Sequence, residues 1–277
     1  MKSEPPSPCA GGEPGRRQRR EGTMENQGIA NPSLFRGPPA YEPRTPWRPL
    51  VALFAGVVIV GASIVGAVLL LGVGTVSGSA DAEGGTWRQD MGALATLGLW
   101  QAIAILLTLL ASALFGGRVR DVLALRSPGP ALVYLWAILL MAVLQLAVSA
   151  VQYTLLPQDM YADLRPFVRL FGEQWALALL VVGVGAPLSE ELLFRGFLLS
   201  ALARSRMGFA GGALVTSGLW TALHAGYSLA GIAEVFTIGL FFSWLLWRTG
   251  SLRVPIFCHG LYNALIVLVL RHVPLPT

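Results

Sequence analysis

Residues 49–80 read PLVALFAGVVIVGASIVGAVLLLGVGTVSGSA, from Pro49 to Ala80, without one charged side chain. A hydrocarbon core of about 30 Å is crossed by ~20 helical residues, and this stretch exceeds that. It is continuously apolar rather than alternating, which selects a helix over a barrel strand. Two more charge-free runs follow, Met91–Gly117 and Ser127–Gln158. The whole chain of 277 residues is 54% apolar and only 13% charged. An ordinary soluble domain carries roughly 25% charged residues. A soluble enzyme, a disordered regulator and a disulfide scaffold are therefore poor readings. The expected fold class is all-α, a polytopic transmembrane helical bundle.

Working outward, seven spans are expected: about Leu50–Val76, Gly92–Phe115, Ala131–Leu156, Gln174–Ala203, Gly211–Ala225, Leu229–Trp247 and Val254–Leu270. A segment near Tyr161–Phe171 would make an eighth if it enters the bilayer. Of the 20 basic residues 19 are Arg, and they cluster at the ends of the apolar runs, where topology signals sit. With the N-terminus in the cytoplasm, fifteen basic residues fall on the cytoplasmic side and four on the other; Arg195 lies inside a span. That bias predicts an integral membrane protein with its N-terminus inside, and the Arg-rich, short-looped character suggests a bacterial plasma membrane. It also argues against nucleic acid as a partner. Cys9 and Cys258 lie in unlike surroundings, so no structural disulfide is expected.

Residues 1–47 hold half of the 18 prolines and the cluster Arg16, Arg17, Arg19 and Arg20. This composition predicts a disordered cytosolic tail. Residues 48–170 then form accessory transmembrane helices, and residues 171–277 carry the chemistry.

That chemistry is legible because charge inside an apolar run is expensive, about 2.5–3.5 kcal/mol per group on insertion scales. The fourth span contains Pro187-Leu188-Ser189-Glu190-Glu191-Leu192-Leu193-Phe194-Arg195. Glu191 and Arg195 are four residues apart and can pair. Glu190 is turned about 100° away, so Arg195 satisfies it less directly. Pro187 weakens the helix just before it. His224 closes Trp220-Thr221-Ala222-Leu223-His224, and His259 opens His259-Gly260-Leu261-Tyr262-Asn263. Three helices thus each bring polar groups that are costly in lipid, and a shared interior is the cheapest place for them. Glu234, near the end of the sixth span, is expected to snorkel; Cys258 is expected to be a small core residue.

Glu190-Glu191 with Arg195, then Trp220 four residues before His224, then His259 four before Asn263, resemble the EExxxR, aromatic-xxx-His and HxxxN motifs of the CPBP intramembrane proteases. That family (CAAX protease and bacteriocin processing, also called Abi) includes the type II CAAX prenyl endopeptidases. The resemblance covers about residues 175–270. Trp220 departs from it, since the family usually has Phe there.

The function expected is an intramembrane endopeptidase acting on a membrane-associated peptide or protein, with the lipid bilayer as its other partner. Peptide hydrolysis needs an activated water, a stabilised oxyanion and a protonated leaving amine. Glu190 is the expected base, with His224 holding the water. His259 and Asn263 would donate to the oxyanion, a division the resemblance also implies. Glu191 and Arg195 would be supporting residues. No cofactor is favoured. Zinc on Glu190, His224 and His259 is the alternative, with its ligands drawn from three helices. The rival class is a non-catalytic immunity or scaffold protein, or a transporter using the same polar cavity.

Overall fold

The computed structural model describes residues 1, 34–35, 37–71, 85–273 and 275, with the side chains of 85–88 and 159 left aside. Every regular element among them is helical. Helix α1 is Pro49–Leu71 and α2 is Gly85–Ala113. A short α3, Val119–Val122, precedes α4, Leu132–Leu155. The seven-residue α5, Phe167–Glu173, leads into α6, Trp175–Ala203. The chain ends with α7 Gly208–Ala222, α8 Leu229–Thr249 and α9 Arg253–His272.

Seven helices therefore stand where seven spans were expected, but only six of them are long and apolar enough to cross a membrane. The exception is α7. Its 15 residues reach only ~22 Å at 1.5 Å per residue. At the eighth candidate position, α5 is shorter still.

α6 is the centre of the bundle. Of its most apolar window 56% is buried, against 22% in α1 and 17% in α4. The outer helices turn large apolar side chains such as Phe54, Leu69, Leu146 and Val151 outward, as a lipid-facing surface requires. α1 buries a stripe of small residues, Ala52, Gly56, Ser63 and Ala67, with Ile59 among them. Such stripes let helix backbones approach. A Cβ on Gly56 would stand 2.9 Å from Leu198 of α6.

α6 does not run as a uniform α-helix. It winds in π-type turns over Leu179–Gly185 and Glu191–Leu198, with an α-helical turn, Ala186–Glu190, between them. Pro187 has no N–H to donate back to Gly183, and single π turns accommodate such a defect. Here α9 comes closest. A Cβ on Gly260 would meet the Gly183 carbonyl at 2.9 Å. Asn263 of α9 donates its Nδ2 to the Val182 carbonyl at 2.9 Å.

The expected disordered tail falls outside the described residues up to residue 33. Its last part does not behave as a solvated leader. Leu34, Thr45 and Trp47 are buried. Trp47 packs edge-on against Phe115 and Phe197 and donates its indole N–H to the Ala111 carbonyl at 3.0 Å. Arg248 holds the Leu34 and Gly37 carbonyls, and Arg204 the Thr45 carbonyl. Gly250, at φ +64°, caps α8 and leaves no room for a side chain beside the Ala40 carbonyl. Apolar anchors spaced through a proline-rich stretch pin it along the helix ends. The described chain from residue 34 onward packs as one unit.

Candidate active site

α6 presents Glu190, Glu191 and Arg195 from its second half. Arg195 and Glu191 are fully buried and bonded, Nη1 to Oε1 at 3.1 Å. Space for the guanidinium comes from α8, where a Cβ on Gly239 would stand 2.9 Å from Arg195 Nη2. The guanidinium carbon lies over the Trp220 ring, 4.4 Å from its centroid. A desolvated cation over an indole is worth about 2 kcal/mol.

Glu190 is not engaged by Arg195. Its side chain keeps 17% exposure, while that of Glu191 has none. Its Oε2 accepts the Trp220 indole N–H at 2.6 Å. The sequence reading noted Trp220 only as a departure from the family's usual Phe. The missed signal was chemical: of the apolar aromatics only Trp carries a ring N–H, and a buried one seeks a partner.

His259, buried on α9, stands between the two carboxylates. Its Nδ1 is 3.0 Å from Glu191 Oε1, and its Nε2 is 3.9 Å from Glu190 Oε2. Phe242 of α8 stacks on the same imidazole, centroids 4.9 Å apart. With Nδ1–H held by Glu191, Nε2 accepts when the ring is neutral and donates only when the ring is protonated.

His224 lies just past the end of α7, not within a span as the sequence suggested. The helix closes in tight turns, with the Leu223 and His224 N–H groups reaching back only three residues. The imidazole Nδ1 is 3.1 Å from the Trp220 carbonyl, and its ring meets those of Trp220 and Tyr227 edge-on. Tyr227 lies in the same connecting turn. Burial chiefly, then the charges of Asp163, Glu190 and Glu234, push its hydroxyl above the ordinary range.

Trp220 is thus the hub. It touches Glu190 by its N–H, Arg195 by its face, His224 by its carbonyl and ring, and His259 edge-on at 5.6 Å. Asn263 is engaged differently, on the Val182 carbonyl; its amide has a second N–H. Among the described residues, no three of the His, Cys, Asp and Glu side chains form a group able to hold a metal ion.

Glu234 does not snorkel. It accepts from Gln145 at 2.9 Å and Gln152 at 2.7 Å, both on α4, and from Tyr262 of α9 at 3.0 Å. It ties three helices together beside the site. Cys258 is buried, its Sγ 3.7 Å from the Ala137 carbonyl.

Residues 172–265 match the family model described as type II CAAX prenyl endopeptidase Rce1-like. The match agrees with the resemblance of the three motifs and covers all of them. A curated relative, an uncharacterized 24.3 kDa protein of Escherichia coli, is 38% identical over 122 residues. That alignment takes in 41% of this chain and 56% of the relative, so the chain spans little more than half the length of the curated protein it matches. No solved structure matches the chain.

Proposed function

We propose that this chain is an intramembrane endopeptidase that hydrolyses a peptide bond of a membrane-associated substrate. The observation that carries the reading is the meeting of three helices' polar groups at Trp220, with Glu190 left partly exposed beside His259. A structural ion pair would explain Glu191 and Arg195. It does not explain a second carboxylate held by one N–H and left open to a small reactant.

The chemistry follows from the parts. Glu190 takes a proton from a water that His224 helps to hold, and the water oxygen bonds to the scissile carbonyl carbon. The carbonyl oxygen gains the electron pair. Donation from His259 and from the second N–H of Asn263 stabilises it. The C–N bond then breaks, and Glu190 returns the proton to the leaving amine. Arg195 and Glu191 act indirectly, by fixing the His259 ring.

We read the activity as metal-independent. The zinc alternative would use Glu190, His224 and His259, but no three such side chains among the described residues form a metal-holding group, so no step runs through it. Activity of the purified protein is expected to survive chelator; loss to chelator with recovery on zinc would reverse this reading. The fifteen-to-four charge bias supports a cytoplasmic N-terminus. No lipid group on the substrate is assumed.

The test compares membrane proteomes. A strain carrying Glu190→Ala is expected to accumulate at least one uncut chain that wild type processes, and Glu190→Gln and His224→Ala are expected to behave alike with insertion intact. Unchanged processing and unchanged biological effect in Glu190→Gln would favour a scaffold or transporter.

A further inference from the structure

Asp163 lies in the connection between α4 and α5, well before the first motif. Both of its carboxylate oxygens are spent on one residue. Oδ1 accepts the Ser228 backbone N–H at 2.7 Å, and Oδ2 accepts the Ser228 hydroxyl at 2.7 Å. The Ser228 Oγ accepts in turn from the Gly231 N–H at 3.0 Å and so caps α8. A Cβ at Gly231 would collide with Asp163 Oδ2. Close contact with the carboxylate is thus built into the first turn of α8.

Ser228 ends the turn that begins after α7 and carries His224 and Tyr227. The other end of that turn is fastened at Trp220, whose carbonyl holds His224 Nδ1. The ring of His224 rests on Tyr227, centroids 5.3 Å apart. The segment bearing His224 is thus tied at one end to the hub of the site and at the other to a carboxylate from a distant part of the chain.

We infer that Asp163 is a positioning residue of the active site: its two-point clamp on Ser228 holds the 223–228 turn so that His224 stays at Trp220. The inference rests on the protease reading for its catalytic consequence, though not for the clamp itself. A charged acceptor makes hydrogen bonds about twice as strong as neutral ones, and an error of about 1 Å in placing a reacting group costs on the order of 10²-fold in rate.

The test uses the full chain in detergent micelles and in cells. Hydrogen exchange reads the 224–232 backbone amides. Cleavage is followed on the chain that accumulates uncut in the Glu190→Ala strain. Asp163→Ala is expected to speed exchange at 224–232 by about tenfold or more, leave α9 protected and slow cleavage by a similar factor. Asp163→Asn, whose amide still offers an oxygen to the Ser228 N–H, is expected to restore most of both. Should Asp163→Ala fail to fold, Ser228→Ala removes the hydroxyl alone and is expected to speed the same exchange by a smaller factor. Unchanged exchange at 224–232 in either variant would overturn the clamp. Faster exchange with cleavage at the wild-type rate would overturn the positioning role. If wild type cleaves nothing that Glu190→Ala spares, the protease reading and the catalytic role of Asp163 both fail, while exchange still decides the clamp.

Discussion

The indole N–H of Trp220 donates to Glu190 Oε2 across 2.6 Å, while the face of the same ring carries the Arg195 guanidinium at 4.4 Å. One side chain therefore separates two neighbouring carboxylates: Glu191 is bonded to the guanidinium, and Glu190 to the indole N–H. Trp220→Phe keeps an aromatic platform and removes the donor. A hydrogen bond to a charged group is worth about 1.5–3 kcal/mol, so a loss of roughly tenfold or more in cleavage is expected with the fold intact. Trp220→Ala also removes the platform and should destabilise by about 3–5 kcal/mol. Equal rates for Trp220→Phe and wild type would mean that the indole N–H does not orient the base.

The buried pair makes a second prediction, on stability. Arg195→Met strands Glu191 in a dry site, and removing one partner of a buried pair costs about 3–5 kcal/mol. The double variant Glu191→Gln/Arg195→Met should recover much of that in thermal unfolding while remaining inactive, since His259 then loses its charged acceptor. Arg195→Lys should not substitute, because an ammonium lacks the planar, delocalised donor fork of a guanidinium. A double variant no more stable than Arg195→Met would refute this account.

Glu234 ties α4 to α8 and α9 through three hydrogen bonds. Interhelical hydrogen bonds in membranes average ~0.6 kcal/mol each, so Glu234→Ala should lower unfolding stability by about 2 kcal/mol. Because none of its three partners is a proposed catalytic group, cleavage at low temperature should be nearly unchanged. A large loss of activity in a stable Glu234→Ala protein would place this network in the mechanism instead.

How far the sequence could be read depended on what kind of signal each feature leaves. Charge-free runs announce membrane helices because the bilayer leaves no other way to satisfy the backbone. Glu190, Glu191, Arg195 and His259 stood out because ionisable residues in apolar runs are rare. Asp163 left no such trace: it lies in a polar connection where a carboxylate is ordinary, and its meaning exists only opposite Ser228. The strap at residues 34–47 was hidden by averaging, since Leu34, Tyr41 and Trp47 are diluted by prolines and arginines. The shortness of α7 was blurred because apolar residues continue past its last helical turn into Leu223. The donor role of Trp220 was in the residue type itself, but pairing it with Glu190 required the fold.

The approach of α9 to α6 makes the last prediction. Gly260 follows His259 directly, and a Cβ there would stand 2.9 Å from the Gly183 carbonyl. Backbone cannot move aside as a flexible side chain does, so Gly260→Ala must push the helices apart by a few tenths of an ångström. The gap that opens is the one between His259 on α9 and Glu190 on α6, already 3.9 Å from Nε2 to Oε2. Since misplacement by about 1 Å costs on the order of 10²-fold, a loss of roughly tenfold in cleavage is expected, with modest loss of stability. Gly61→Ala on α1 is the matched control: a Cβ there meets nothing within 4 Å, and in a helix alanine replaces glycine with a gain of about 1 kcal/mol. Gly260→Ala at wild-type activity would show that the spacing of α6 and α9 does not set the reach of His259 to Glu190.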